Sequence, residues 1–457
     1  MALEFKLSDF AHPLEILKLR SRFKKSQWYT EEEQVLYQER LLRRITEHSY
    51  RHVPYYRDLF DSIRLKPADI RRLSDLNKLP LLTKAVLRAQ FGRLEASNSH
   101  AYGPRVLRTS GTTGQRTQFL VDRRSNALEF VYYWRYWNWA GYTLGAPFAE
   151  FSSVFFSADD ARSLLPTWHQ RSTNRLLLNS RVLSDARVRS FVAAIRRHRA
   201  LFLKGLPSVL YYFALSLRRQ GVNDISFKAV FSTGETLVPR VRKLVEEMFG
   251  CKVYDSYGHL ERTVAISECP RGGLHLNPDY GICEFVRQDD IRAEFAGATY
   301  SGTGYPARIV GTSLYNFSMP LLRYDVGDIV LVEPEKKCAC GRQFTLVSAI
   351  AGRQSEVIMT PEGGAVTAAF LVFEDVPDIL GGQILQESLN ELRVRIVPDS
   401  QFSAAAEARL TSRIRTLVGP TMRITMERCA GVDELRGESG KVRAVVSKLD
   451  CFTSSPG

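Results

Sequence analysis

The stretch ISFKAVFSTGETLVPRVRKLVEEMFGCKVYDSY, Ile225 to Tyr257, holds a complete strand–loop–helix–strand unit. Phe227 to Phe231 is a short apolar run suited to a buried strand, and Ser232-Thr233-Gly234-Glu235 supplies the polar, flexible residues of a loop. Pro239 suits the first turn of a helix, where its missing N–H has no partner to lose. Val241, Leu244, Val245 and Met248 then recur at i, i+3, i+4 and i+7, which predicts an amphipathic helix that Gly250 ends. The next strand begins at Lys252. A strand, a crossover helix and a second strand imply parallel pairing in a sheet covered by helices. Such sheets take ligands at the carboxyl ends of their strands.

Outward from this unit the patterns change in order. Glu31 to Phe60 is strongly helical with a break at Pro54, and another helix starts at Thr83-Lys84 after the turn Leu79-Pro80-Leu81. Tyr102 to Val121 reads as strand, glycine-rich loop, strand. The segment from Ser125 to Trp139 carries Phe130, Tyr132, Tyr133, Trp134, Tyr136, Trp137 and Trp139 on all helical faces, which predicts a buried helix. Core packing explains these rings better than a dedicated ring-binding box. Beyond Asp328 a β-rich stretch leads to Gly352-Arg353. Glu391 to Val397 then alternates as a strand, and Ala404 to Val418 reads as an amphipathic helix. The expected class is α/β, with a large N-terminal domain of parallel or mixed sheets flanked by helices and a small α+β C-terminal cap.

The 457 residues, 44% of them apolar, can bury a large core and form two or three units. No apolar run approaches the roughly 18–20 residues that span a bilayer, and MALEFKLSDF lacks a secretory apolar stretch, so the expected location is cytoplasmic with no transmembrane segment. A net charge of +14 admits an anionic partner such as ATP, coenzyme A or a membrane surface. The basic residues sit among acidic neighbours on amphipathic helices without zinc-finger, RNP or basic-zipper spacing, so nucleic acid is not expected. Seven cysteines without an export signal argue against a disulfide framework.

Two constellations carry chemistry. Thr109-Ser-Gly-Thr-Thr-Gly-Gln-Arg-Thr117 combines two glycines and five hydroxyls between strands, so backbone N–H groups and hydroxyls can surround phosphate oxygens. It lacks the Gly-Lys-Ser/Thr ending of the Walker loop. By itself such a stretch is either a phosphate cradle or an ordinary turn. Cys338-Ala-Cys340, with Cys269 and His275 far upstream, offers three thiolates and an imidazole for a tetrahedral Cys3His zinc site. Spacing alone equally permits four unconnected side chains.

Taken in order, these motifs resemble the adenylate-forming superfamily of acyl-CoA synthetases, adenylation domains and luciferases, in the branch of phenylacetate–CoA ligases and capsular polysaccharide biosynthesis proteins. Thr109–Thr117 resembles its phosphate loop, Ser232–Glu235 and Tyr257-Gly-His-Leu-Glu261 its adenine motifs, and Gly311–Asp328 the segment ending in its ribose aspartate. Gly352-Arg353 is similar to its hinge and Gly440-Lys-Val-Arg443 to its C-terminal lysine motif. Val53-Pro-Tyr-Tyr-Arg57 and Leu79–Lys84 fit the same branch. The resemblance spans roughly residues 45–448.

It implies an ATP-binding and acid-binding domain over residues 1–352 and a mobile cap over 353–457. By position, Ser110, Gly111, Thr112, Thr113 and Gly114 would hold phosphates of ATP. Gly234, Glu235, Tyr257 and Gly258 would flank the adenine of ATP or AMP. Asp328 would meet the ribose, Arg353 the ribose or a phosphate, Glu261 would bind Mg²⁺, and Lys441 would be the cation at the reacting carboxylate and α-phosphate. Activation of a carboxylic acid as its acyl-AMP is followed in this family by transfer to a thiol, coenzyme A or the phosphopantetheine of a carrier protein. Transfer to an amine or hydroxyl, and a catalytically impaired homologue, are the alternatives. A homodimer is admitted. The branch also shows cysteines and a histidine at corresponding places, which turns Cys269, His275, Cys338 and Cys340 toward structural zinc. Phe155, Lys204 and His259 are candidates for lining the acid pocket. Three departures stand out: Leu260 where Thr or Ser is usual, Arg116 where proline is common, and Gln354-Ser355-Glu356 in place of an Asp-Asp hinge.

Overall fold

In the computed structural model the described residues are 13–108, 117–152, 155–156, 165–180, 185–237, 239–287, 304–333, 337–353, 358–359, 361, 365–366, 372–373, 378–436 and 442–449. The chain opens with α1 (Pro13–Ser26), α2 (Glu31–His52) and α3 (Pro54–Ser62). A reciprocal capping box starts α2: Thr30 accepts from Glu33 N–H and Glu33 from Thr30 N–H. Val53, forced extended by the following proline, ends α2 and leaves Pro54 to begin α3. The short helices α4 (Lys84–Ala89, capped by Thr83) and α5 (Phe91–Leu94) complete this helical layer.

A hairpin of β1 (Arg105–Arg108) and β2 (Gln118–Val121) precedes α6 (Arg123–Trp139). Five of the seven aromatic rings on α6 are buried, and Trp134 and Trp139 are half-buried, as the all-round pattern predicts. Inside this aromatic shell Arg135 pairs with Asp279 and donates to Asn277 at 2.7 Å, so its charge is fully compensated.

Next come β3 (Phe148–Ser152), β4 (Thr167–Gln170), β5 (Arg175–Asn179), α7 (Asp185–His198), β6 (Phe202–Gly205), α8 (Pro207–Arg219), β7 (Ala229–Thr233), α9 (Pro239–Phe249) and β8 (Val253–Gly258). Strands β5, β3, β6, β7 and β8 are neighbours and all parallel, with β4 as an antiparallel edge. The deciding unit is thus β7–α9–β8. Its first strand begins two residues later than the apolar run suggests, because Phe227 packs into the helical layer against Phe249 instead.

At β8 the sheet changes character. Strands β9 (Ala265–Glu268), β10 (Leu274–Leu276), β11 (Gly281–Arg287), β12 (Tyr305–Ser313), β13 (Tyr324–Glu333) and β14 (Leu346–Arg353) extend it antiparallel in the order β8-β9-β10-β14-β13-β12-β11. The result is one twelve-stranded mixed sheet with one core under its antiparallel half and another under α7–α9. A short pair, β15 (Ile358–Met359) and β16 (Ala365–Val366), precedes a separate four-stranded sheet. In it β17 (Ile379–Ser388) and β18 (Glu391–Pro398) form the antiparallel centre, flanked by β19 (Arg423–Arg428) and β20 (Val445–Ser447). Helix α10 (Ala404–Val418) covers this sheet and closes a third core.

The loop between β8 and β9 lies directly on the sheet. A Cβ placed on Gly281 would sit 1.9 Å from the Thr263 carbonyl oxygen, and one on Gly311 would sit 1.9 Å from Thr263 Oγ1. Only glycine fits at either position. Gly311→Ala is therefore expected to destabilise the protein by roughly 1–3 kcal/mol or more. Gly258→Ala, whose Cβ meets open space, should stay within about 0.5 kcal/mol of the parent. Paired thermal or urea melts check both.

Candidate active site and a cysteine–histidine cluster

The β8–β9 loop carries Glu261 at the point where the parallel half of the sheet meets the antiparallel half. Its carboxylate is buried, accepting from the Tyr324 hydroxyl at 2.7 Å and from His259 Nδ1 at 3.2 Å. Val264 N–H donates to His259 Nε2 at 3.2 Å, which makes that nitrogen the acceptor and leaves Nδ1 to donate to Glu261. Burial raises the Glu261 pKa, but His259, the Tyr324 hydroxyl and the Lys84 ammonium outweigh it and hold it at about 2. The group is a fixed anion.

Lys84 is a member of the site that its sequence context did not announce. It opens α4, far from Glu261 in the chain, yet Leu82 bridges to Tyr324 and Lys84 Nζ donates to the Val326 carbonyl at 2.6 Å. Tyr324 stands inside a quoted motif with no expected role, and His259 was expected only to line the acid pocket. Leu260 packs against the main core, so its apolar side chain serves packing.

Beside Glu261, the Tyr257 hydroxyl donates to Asp328 Oδ2 at 2.6 Å, joining two predicted motifs that are distant in sequence. Asp328 on β13 is the register partner of Arg353 at the end of β14. Gly234 adopts φ +82°, the left-handed turn for which glycine is suited, between Thr233 at the end of β7 and Glu235. Gly258 borders open space next to Tyr257. Tyr257, Gly258, Glu261, Asp328 and Lys84 thus meet at one end of the sheet. Ser110, Gly111, Thr112, Thr113, Gly114 and Lys441 lie outside the described residues. Thr117, the last residue of the glycine-rich stretch, is buried, with Arg88 Nη1 donating to its hydroxyl at 3.5 Å.

The three acid-pocket candidates have other partners. Lys204 Nζ donates to Glu150 Oε1 at 2.8 Å, and Arg175 pairs with the second oxygen of that carboxylate. His259 serves Glu261, and the Phe155 ring packs on Phe156 and Trp168.

Below Gly234, the Ser232 hydroxyl donates to buried Asp255 at 2.7 Å. Arg242 pairs with Glu268 at 2.7 Å, and Glu268 also accepts from Asp255 N–H. Burial pushes the Asp255 carboxyl up to about 7, with Glu268 adding to the rise and Ser232, Arg242 and the Ser256 backbone opposing it.

A second constellation forms where β9, β10 and the turn before β14 meet. The ligand atoms of Cys269, His275, Cys338 and Cys340 all lie within 4.8 Å of one another. Cys269 and Cys338 sulfurs are 3.6 Å apart, and Cys340 Sγ is 3.3 Å from His275 Nε2. Gly341 at φ +81° turns the Cys338–Cys340 knuckle. A Cβ at Gly273 would stand 2.9 Å from Cys338 Sγ and 3.1 Å from His275 Nε2, so glycine keeps the space between the donors clear. Burial lowers the His275 pKa to about 4, the Arg342 cation assisting and the Phe344 backbone opposing, so the ring is neutral and able to ligate. The Gly272-Gly273 pair beside Cys269 was the overlooked signal.

A family model described as the CapK C-terminal domain matches residues 358–448. Across 90% of the chain, 25% of residues are identical to the phenylacetate-coenzyme A ligase of Thermus thermophilus, covering 95% of that protein. Over most of its length the chain is thus similar to phenylacetate-coenzyme A ligases, and its C-terminal portion to CapK. Protein CapK of Staphylococcus aureus is 21% identical over 71% of the chain and 70% of its own length. The fold matches 2-hydroxyisobutyryl-CoA ligase, solved in the postadenylation state with R3-HIB-AMP, at a TM-score of 0.70 and 18% identity over 93% of this chain and 92% of that one. The mixed α/β fold with a separate C-terminal sheet agrees with that structure.

The Asp255 shift has a definite sign. The folded carboxyl binds its proton up to about pH 7, whereas an unfolded one releases it near pH 4, so wild-type stability falls as pH rises through that window. Asp255→Asn is expected to match wild type below about pH 4 and to exceed it by up to roughly 4 kcal/mol above pH 7. Urea melts across pH 4–8 give the difference.

Proposed function

We propose that the chain is an ATP-dependent acid–thiol ligase. It joins a carboxylic acid to AMP with release of pyrophosphate, then passes the acyl group to a thiol, either coenzyme A or the phosphopantetheine of a carrier. The hydrogen bond between Tyr257 and Asp328, with anionic Glu261 beside it, carries this reading. It supports the reading because residues expected at adenine, ribose and metal, Tyr257, Asp328 and Glu261, lie at one end of the sheet.

A substrate carboxylate oxygen attacks the α-phosphorus of ATP. The bond to the bridging oxygen breaks, and pyrophosphate leaves with the electron pair. No covalent enzyme intermediate forms, so the protein contributes position and charge. Asp328 accepts from the ribose hydroxyls, while Tyr257, Gly258, Gly234 and Glu235 border the adenine, with Arg353 at the ribose. Ser110, Gly111, Thr112, Thr113 and Gly114 hold phosphates, and Lys441 places a cation at the reacting carboxylate. Glu261 fits Mg²⁺ because it is ionised and a hard oxygen donor. The bound cation would neutralise phosphate charge. Residues 353–457 act as the cap.

The cysteine–histidine cluster supports a structural Zn²⁺. A tetrahedral site with Zn–S near 2.3 Å and Zn–N near 2.0 Å has donor–donor edges of roughly 3.5–3.8 Å. The 3.6 and 3.3 Å separations approach these values. Four protein donors leave no position for a reacting water.

Carboxylate-dependent exchange of pyrophosphate into ATP tests the activity over a panel of aromatic and aliphatic acids. Glu261→Gln and Lys441→Ala should each lower exchange by on the order of 10²-fold. No exchange with any acid would overturn the ligase reading, and exchange without thiol-dependent AMP release would move it to the amine or hydroxyl acceptor. Metal analysis of purified protein should find about one zinc per chain, and Cys338→Ser should lose it together with several degrees of Tm. A metal-free, well-folded wild type would remove the zinc.

A further inference from the structure

Helix α1 packs on α6 with Leu19, Phe23 and Ser26 buried. The opposite arc, set by the 3.6-residue period, carries Leu17, Lys18, Arg20, Ser21, Lys24 and Lys25, all exposed. Between Leu17 and Thr30 the sequence holds no acidic residue, so this arc is basic along its whole length. Two apolar side chains stand with these cations: Leu17 is 55% exposed, and Trp28, just past the end of the helix, is 56% exposed. The Arg342 guanidinium lies 4.8 Å from the Trp28 ring centroid and brings a further positive charge.

Helix α2 continues the surface. Arg22 of α1 and Arg40 of α2 both lie on the Tyr37 ring, 6.0 and 5.3 Å from its centroid, which joins the two helices at their edges. An arc of α2 at helical spacing then exposes Leu36, Arg40 and Arg43. Partial burial lowers the Arg44 pKa, and the neighbouring cations Arg124 and Arg22 lower it further against Tyr102 and Glu15. Acids near these arcs have work elsewhere: Glu15 pairs with Arg124 at 3.2 Å, Glu31 pairs with Lys337, and Glu33 closes the capping box of α2. Among the described residues, four of the ten exposed large apolar side chains, Leu17, Trp28, Val35 and Leu36, fall on these two helices and the turn between them. They gather beside the cations instead of scattering, which marks an interaction surface.

A nucleic-acid backbone would use the cations and leave the leucines in water. A bilayer surface of negative charge satisfies both: headgroup phosphates meet the lysines and arginines, and indole and leucine side chains enter the boundary beneath them. We propose that the α1–α2 face docks this protein on a membrane surface rich in anionic phospholipid. Binding is peripheral, since α1 keeps its inner side on α6, and it stands independently of the ligase reading.

Co-sedimentation of the full chain with vesicles of phosphatidylcholine, alone or mixed with phosphatidylglycerol, tests the docking. Wild type should partition onto the mixed vesicles roughly tenfold or more over the neutral ones, and added salt should release it. Lys18→Glu/Lys24→Glu/Lys25→Glu should abolish that preference, and Leu17→Gln/Leu36→Gln should weaken binding severalfold, with urea melts unchanged in both. Glu32→Lys, one turn before Leu36, should strengthen binding severalfold, an effect that damaged folding cannot produce. Mixed vesicles should also shift tryptophan emission to the blue in wild type and not in Trp28→Phe. Equal partition onto both kinds of vesicle, or an unchanged preference in the triple charge variant, overturns the proposal. Binding to a DNA duplex that the charge variant loses and Leu17→Gln/Leu36→Gln keeps, without a vesicle-induced shift, would give the face to nucleic acid instead.

Discussion

The backbone carbonyl and hydroxyl of Thr263 rest on two glycines, Gly281 and Gly311, with no room for a methyl group. This contact sets the height of the β8–β9 loop above the sheet and hence the place of Glu261. It falls where parallel strands give way to antiparallel ones, so the loop closes one half of the sheet and opens the other. The segment between β12 and β13 completes the wall around it. Tyr56 accepts from Leu322 N–H at 2.8 Å, Asp122 from Phe317 N–H at 2.6 Å, and Asn316 donates to the Leu120 carbonyl at 2.7 Å. These buried polar side chains are all paired, which converts a loop without regular structure into a rigid support.

The cysteine–histidine cluster lies on the same sheet at the opposite end of β9 from the Glu261 loop. Its four residues come from the turn after β9, from β10 and from the turn before β14, and those three strands are adjacent. A bond network there would hold β14, whose last residue pairs with Asp328. Around it Arg342 lies over Trp28 and Trp139, which ties the cluster to the N-terminal helices and to α6.

Local signals carried well into the structure. Helix α10 runs from Ala404 to Val418 as its periodicity predicts because Ser403 caps one end and Gly419 ends the other. Helix α9 begins at Pro239, a residue suited to a first helical turn. The antiparallel half of the sheet left a weaker trace, since its order depends on pairings such as β10 with β14 that no short window contains. Among site residues, Tyr257, Glu261 and Asp328 were legible because each stands in a compact motif. Lys84 was not, because only the Leu82–Tyr324 bridge brings it near Glu261. For Lys204, a candidate for lining the acid pocket, only the fold reveals Glu150 and Arg175 alongside it.

If Asp328 meets a ribose as proposed, the Tyr257–Asp328 hydrogen bond bears on how readily the nucleotide is accommodated. A carboxylate as enclosed as Asp328 would ordinarily have to shed water before meeting a ribose, and that dehydration opposes binding. Here one of its oxygens already faces a protein hydroxyl at 2.6 Å. On the proposed reading a ribose hydroxyl, a weaker acid but still an O–H donor, would share or replace that donor and leave the anion hydrogen-bonded. The carboxylate is thus solvated by the protein in advance, and on that reading ring and acceptor would meet the ligand as one preassembled piece.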